Sequence, residues 1–89
     1  METILNLVKT DLGIMHNKRD TYFYTAIRAA VAELNELNIE PAYDDQEYIM
    51  LVVDLVLWRY RHRAEDVPLA QNIRSRIRAF IMRRRADDE

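Results

Sequence analysis

The chain is predicted to be all-α, a small single-domain bundle of four helices. Three observations carry that expectation. One glycine and two prolines in 89 residues leave few places for turns. Apolar residues recur at spacings of three and four along nearly the whole chain, and no β-like alternation appears. A length of 89 residues suits one domain, and 49% apolar with 31% charged residues is a globular composition. So short a chain buries only about 60% of its unfolded surface, so some apolar surface is expected to lie against partners.

The first helix is expected over about 4–12, where Ile4, Leu5, Val8 and Leu12 form a stripe that Gly13 ends. The second is expected over 18–37, with Asn17 as N-cap and Asp20 facing the free amides of the first turn. Its inward row is Phe23, Ile27, Val31, Leu34 and Leu37. Ala26, Ala29, Ala30 and Ala32 thin another part of its surface, where a neighbouring helix can approach closely.

NIEPAY, broken by Pro41, reads as a linker. A capping-box pattern, Asp44 with Glu47, then opens a third helix over 45–62. Ile49, Val52, Val53 and Val56 occupy one side of it, and Leu51, Leu55 and Trp58 another. Apolarity around the whole circumference marks a buried central helix, with part of one face available to another subunit. RAEDVP is the second break, and Pro68 suits the first turn of a fourth helix over 68–84. Leu69, Ile73, Ile77, Phe80 and Ile81 point inward there, while Arg74, Arg78 and Arg85 share a flank and Arg76, Arg83 and Arg84 lie elsewhere. Residues 1–86 form the domain, and 87–89 an acidic tail.

Several function classes are disfavoured. The longest apolar run, Tyr48–Trp58, spans about 16 Å as a helix against the roughly 30 Å of a bilayer core. The N-terminal stretch carries Glu2 and Asp11 with no basic region before its apolar residues, unlike a signal peptide. No cysteine is present, which removes disulfides and thiolate metal sites. His16 and His62 stand far apart and in no ligand pattern. Ser75, the only serine, lies among arginines without an orienting acid, and Gly13 alone cannot build a phosphate loop. No enzyme, metal or cofactor is expected.

Charge is distributed unevenly. Residues 1–54 hold four bases and ten acids, net −6. Residues 55–86 hold nine arginines against Glu65 and Asp66, net +7, and Asp87, Asp88 and Glu89 return −3. Such a chain suits head-to-tail self-association, or a nucleic acid at one end, although a solvated arginine-rich face has the same composition. Asp54 is the one acid inside the apolar run. A carboxylate there must reach water, an arginine of the fourth helix, or an arginine of another subunit. Trp58 and Tyr60 beside Arg59 and Arg61 resemble the aromatic–basic interleaving of single-strand binders, but also a core tryptophan at a helix end.

Taken in order, these features resemble the head–tail connector (adaptor, or head-completion) family of long-tailed bacteriophages and prophages. The stretch Leu12-Gly-Ile-Met-His-Asn-Lys-Arg-Asp20 resembles that family's leucine–x–isoleucine approach, capping residue and helical aspartate. An alanine-bearing second helix ending in Leu37-Asn-Ile39, and a hydrophobic third helix ending in an aromatic and arginines, are also similar. The similarity covers about 3–63 well and 68–82 loosely. The short linker after the second helix and the arginine-rich fourth helix depart from the family pattern.

The resemblance implies a structural protein of the virion neck, made in the host bacterial cytoplasm. It would be a homo-oligomeric ring, formed alone or templated by the portal protein, that joins the filled head to the next neck or tail-completion protein. Its channel would pass DNA with transient, non-specific contact. On that reading Asp54, Trp58, Arg59 and Arg61 are candidates for a subunit or portal interface. Arg74, Arg78 and Arg85 are a candidate basic strip for protein acids or channel DNA. The alternative reading is a small helical DNA-binding or DNA-packaging accessory protein that uses the fourth helix on phosphates. A third is a helical module that binds a host protein.

Overall fold

The computed structural model describes the backbone of residues 1–88 and side chains through Arg83. Four helices follow one another: α1 (Glu2–Leu12), α2 (Asp20–Glu36), α3 (Gln46–Arg61) and α4 (Gln71–Asp88). The described residues contain no strand. The acidic residues expected as a tail, 87–89, lie outside the described side chains, as does Arg85.

Helix α3 is the axis of the fold. Tyr48, Leu51, Val52, Val53, Leu55, Val56 and Leu57 on it are all buried, as its all-round apolarity requires. Around it lie Ile4, Leu5 and Val8 of α1, and Phe23, Ile27, Ala30 and Leu34 of α2. The close approach expected on the alanine surface is used at buried Ala30 and half-buried Ala26, whereas Ala29 and Ala32 face solvent. Helices α1 and α2 pack on each other as well as on α3, but among the described residues α4 packs on α3 alone. Among the described side chains of α4 only Ile73 is buried; Ile77, Phe80 and Ile81 are half-buried against the same surface.

The ends of the helices follow from local chemistry. Gly13 adopts φ +71°, the Ile14 N–H donates to the Lys9 carbonyl at 2.9 Å, and the Gly13 N–H donates to Thr10 at 3.2 Å. That is a Schellman closure, which needs a left-handed residue. Asn38, at φ +68°, closes α2 in the same way, with Ile39 N–H on Leu34 and Asn38 N–H on Asn35. The fold thereby drives Ile39 back into the core.

Three expected boundaries shift. Asp45, not Asp44, caps α3, its side chain accepting from the Glu47 N–H at 2.9 Å. Arg19 precedes α2 with no side-chain cap bond, and Asn17 contributes only its carbonyl, accepting from the Asp20 N–H at 3.3 Å. Pro68 lies before α4 rather than in its first turn. Residues 66–70 are non-helical, because a proline disfavours helical backbone at the residue ahead of it. Leu69 and Ala70 pack against the core, and the Ala70 carbonyl starts the helix by accepting from Ile73 and Arg74.

Candidate functional site

The basic end of the chain folds back on its acidic part. From Ala29 to Trp58 the sequence contains seven acids and no Lys or Arg. Four of those acids meet arginines of α3 and α4. Arg59 grips Glu33 of α2 with both terminal guanidinium nitrogens. Arg76 of α4 donates to Asp54 of α3 at 2.6 Å. Arg83 reaches Glu47 at 2.8 Å and Asp45 at 3.5 Å. Arg61 bridges to Asp11 of α1, and Lys9 ties α1 to Asp20 of α2 at 2.8 Å. Each helix that packs on α3 is thus pinned to it by an ion pair.

Among the residues expected at a subunit or portal interface, Asp54, Arg59 and Arg61 are therefore satisfied within the chain. The structure brings them together at the carboxyl half of α3, on different sides of that helix, rather than as one outward patch. Trp58 is half-buried and stacks on the ring of His62, centroids 4.2 Å apart and planes 20° apart. The His62 Nδ1 lies 2.7 Å from the Trp58 carbonyl.

Asp54 and Arg76 are each about a third exposed, 36% and 35%, so water screens the pair and its contribution is modest. Asp54→Asn is expected to lower stability by about 1 kcal/mol or less in urea denaturation. A loss above about 3 kcal/mol would mark a fully desolvated pair instead.

The aromatic–basic interleaving at the end of α3 is likewise occupied from within. Tyr60 packs tilted against Phe23 at 5.3 Å and edge-on to Tyr22 at 6.0 Å. Its hydroxyl accepts from Arg19 at 2.9 Å, and the Arg63 guanidinium covers its ring at 4.2 Å. A hollow of about 430 Å³ opens here between α2 and the end of α3, floored by Ala26, Ala29 and Ala30.

Arg74 and Arg78 differ from the other described arginines of α4, Arg76 and Arg83, which are paired. Both are exposed, one turn apart on α4, and neither has a carboxylate partner among the described residues. Met82 continues the same row at 63% exposed. On another side of α4 an apolar groove of about 470 Å³ runs between α3 and α4, lined by Met50, Ala79 and Phe80 with Glu47, Arg76 and Arg83 at its edge. The row combines free positive charge with exposed Met82, and the groove offers apolar contact edged by paired charges, both compositions of protein-binding patches.

At the opposite end of α3, the connection from α2 exposes Leu37 at 41% and Tyr43 at 44%. Glu36 and Asp44 stand beside them, exposed and without ion-pair partners among the described residues. Neither these apolar residues nor Met50 is visible as exposed in the sequence, because helical periodicity assigns a face without saying which faces are covered.

Elsewhere the described residues show little chemistry. Ser75 Oγ accepts a long 3.4 Å bond from Gln71, and His16 Nδ1 accepts from the Lys18 N–H in the α1–α2 loop. No three His, Asp or Glu side chains gather to hold a metal ion among the described residues, and no described helix is long and apolar enough to cross a membrane. Tyr48 is the unexpected residue: it is fully buried and its hydroxyl has no hydrogen-bond partner among the described residues. Burial, reinforced by nearby Tyr43, pushes its phenol up to about 12.

The chain matches no protein-family model, and comparison with curated proteins and with solved structures returned no match.

Proposed function

We propose that this protein is a structural connector that acts by assembly, as the head–tail connectors it resembles do: a ring of identical subunits beneath a phage portal, passing DNA from head to tail. The observation that carries the reading is the surface of α3 and α4. There the free Arg74 and Arg78 stand in one row with exposed Met82, and the Met50–Phe80 groove opens on another side of the same helix, which among the described residues packs on α3 alone. A helix held on one side only leaves its other side for a neighbour. The ion pairs at Asp54, Arg59 and Arg61 then serve to fix the helices that present this surface, and contacts to portal or subunit fall on the unpaired groups.

The test is to mix the protein with the portal ring of the phage that encodes it and image the product. A ring of density beneath the portal supports the reading; its absence removes it.

Free Arg74 and Arg78 also favour the second reading, in which α4 lies on DNA phosphates. Two phosphate contacts are few. They give a log–log salt slope of about −1.8, a loss of about twelvefold in affinity between 50 and 200 mM salt, and weak binding throughout. Duplex DNA is therefore expected to bind the isolated protein only weakly at physiological salt, as filter or fluorescence titrations can show. Tight binding with a slope of about −5 or steeper would favour the DNA-binding protein instead.

A further inference from the structure

We infer that the exposed row Arg74–Arg78–Met82 of α4 is a docking surface for a second copy of this chain, and that the segment it receives is the acidic, apolar α2–α3 connection around Glu36, Leu37, Tyr43 and Asp44. The inference rests on the self-assembly part of the connector reading and names the surfaces that carry it.

The row is unfavourable as it stands. Two arginines one turn apart on a helix repel each other by a few tenths of a kcal/mol, and no described carboxylate offsets them. The other described arginine side chains of α4, Arg76 and Arg83, are both paired to acids of α3. Met82 at 63% exposed adds apolar surface one further turn along. The row therefore asks for a partner with carboxylates and apolar side chains close together.

The α2–α3 connection has that composition. Glu36 and Asp44 are exposed and unpaired among the described residues, and Leu37 and Tyr43 expose 41% and 44% of their surfaces between them. Lys and Arg are absent from Ala29 to Trp58, so no cation of that stretch competes for these acids. The opposite sign of the two patches matches across a contact between copies.

Geometry keeps the two patches apart within one molecule. Arg76 meets Asp54 while Arg83 meets Glu47, so α3 and α4 run antiparallel. The connection ends just before Glu47, beside Arg83 and Phe80. Arg74 and Arg78 lie nine and five residues back along α4, about 13 and about 8 Å away at helical rise. Met82, adjacent to Arg83 in the chain, is turned about 100° from it around the helix. Since the patches differ and sit at separate places, the contact is heterologous: each copy gives one surface and receives the other. Repetition of such a contact closes a ring or extends a filament.

The test is a charge swap on the full chain. Arg74→Glu with Arg78→Glu gives one variant, and Glu36→Lys with Asp44→Lys the other. All four positions are exposed, so helical content should be unchanged by circular dichroism. Wild type is expected to self-associate in sedimentation at concentrations up to about 1 mM. Each variant alone should associate at least about tenfold more weakly, because like charges then face each other. An equimolar mixture of the two should recover wild-type association, since every junction again joins opposite signs. Independently, amide shifts of the wild type should move with concentration at 36–44 and 74–82.

A wild type monomeric at about 1 mM, variants that associate unchanged, a mixture without recovery, or shifts confined elsewhere would each overturn the assignment. Rings beneath a portal combined with a failed swap would remove this surface and leave the connector reading. A successful swap with no ring density would do the reverse.

Discussion

Leu51→Ala is expected to cost about 3 kcal/mol and to lower the melting temperature by roughly 12–24 °C. Leu51 is fully buried at the middle of α3, the helix on which all the others pack. Truncation removes its transfer free energy and leaves a cavity that several helices would have to move together to fill. A domain of this length has a total stability of about 4–13 kcal/mol, so the variant sits close to unfolding. Ile77→Ala is the contrast. Ile77 is half-buried on α4, which touches only α3, so its site can collapse and part of its surface is already wet. Its cost is expected to be about 1 kcal/mol. Urea denaturation of both variants checks the pair. Equal costs would mean that α4 is as tightly packed as α1 and α2.

That asymmetry between α3 and α4 was partly legible in the sequence. Apolarity on every side of Tyr48–Trp58 identifies the central helix, because only a helix with neighbours all round buries such a surface. The stripes of α1 and α2 follow from spacing in the same way, except that Leu37, expected inward at the end of α2, is 41% exposed, and Gly13 marks the end of α1 through its left-handed backbone. The equivalent signal at Asn38 was present but weaker, since asparagine tolerates that conformation less well than glycine. The start of α4 was misplaced because Pro68 is compatible with a first turn and also with an extended approach. Burial of Leu69 and Ala70 decides between these, and burial is a tertiary property.

The candidate site was less legible, and the reason is separation along the chain. Asp54 in an apolar run announces that it needs a partner, but the partner is Arg76, 22 residues away. Glu33 and Arg59 are 26 apart, and Asp11 and Arg61 are 50 apart. Local pattern cannot choose among nine arginines at those distances; only the register of packed helices does. The division into halves of −6 and +7 similarly has two readings, attraction between copies or attraction within one chain. The structure shows the second for Arg59, Arg61, Arg76 and Arg83. What remains for a partner is charge left unpaired after folding, which includes Arg74 and Arg78 on α4 and Glu36 and Asp44 at the α2–α3 connection, and none of those stands out by composition.

Tyr48→Phe is expected to stabilise the protein, by about 1 kcal/mol near neutral pH, since it deletes a buried hydroxyl that lacks a partner. The ring keeps its place in the core beside Tyr43, 6.1 Å between centroids, so no cavity forms. The advantage should grow in alkali. Burial raises the Tyr48 phenol from 10.0 to about 12, because the phenolate would lose its water. Between those values the unfolded chain has released the proton and the folded chain still holds it, so folding loses stability as pH rises through the window. The loss is on the order of 2 kcal/mol and is absent from the phenylalanine variant. Urea denaturation of both proteins at about pH 9 and about pH 11.5 therefore reads the hydroxyl directly, as other titrating groups cancel in the difference. A widening gap places the phenol in a dry site. A constant gap, or a variant less stable than wild type at neutral pH, would mean that the hydroxyl finds water or a partner in solution.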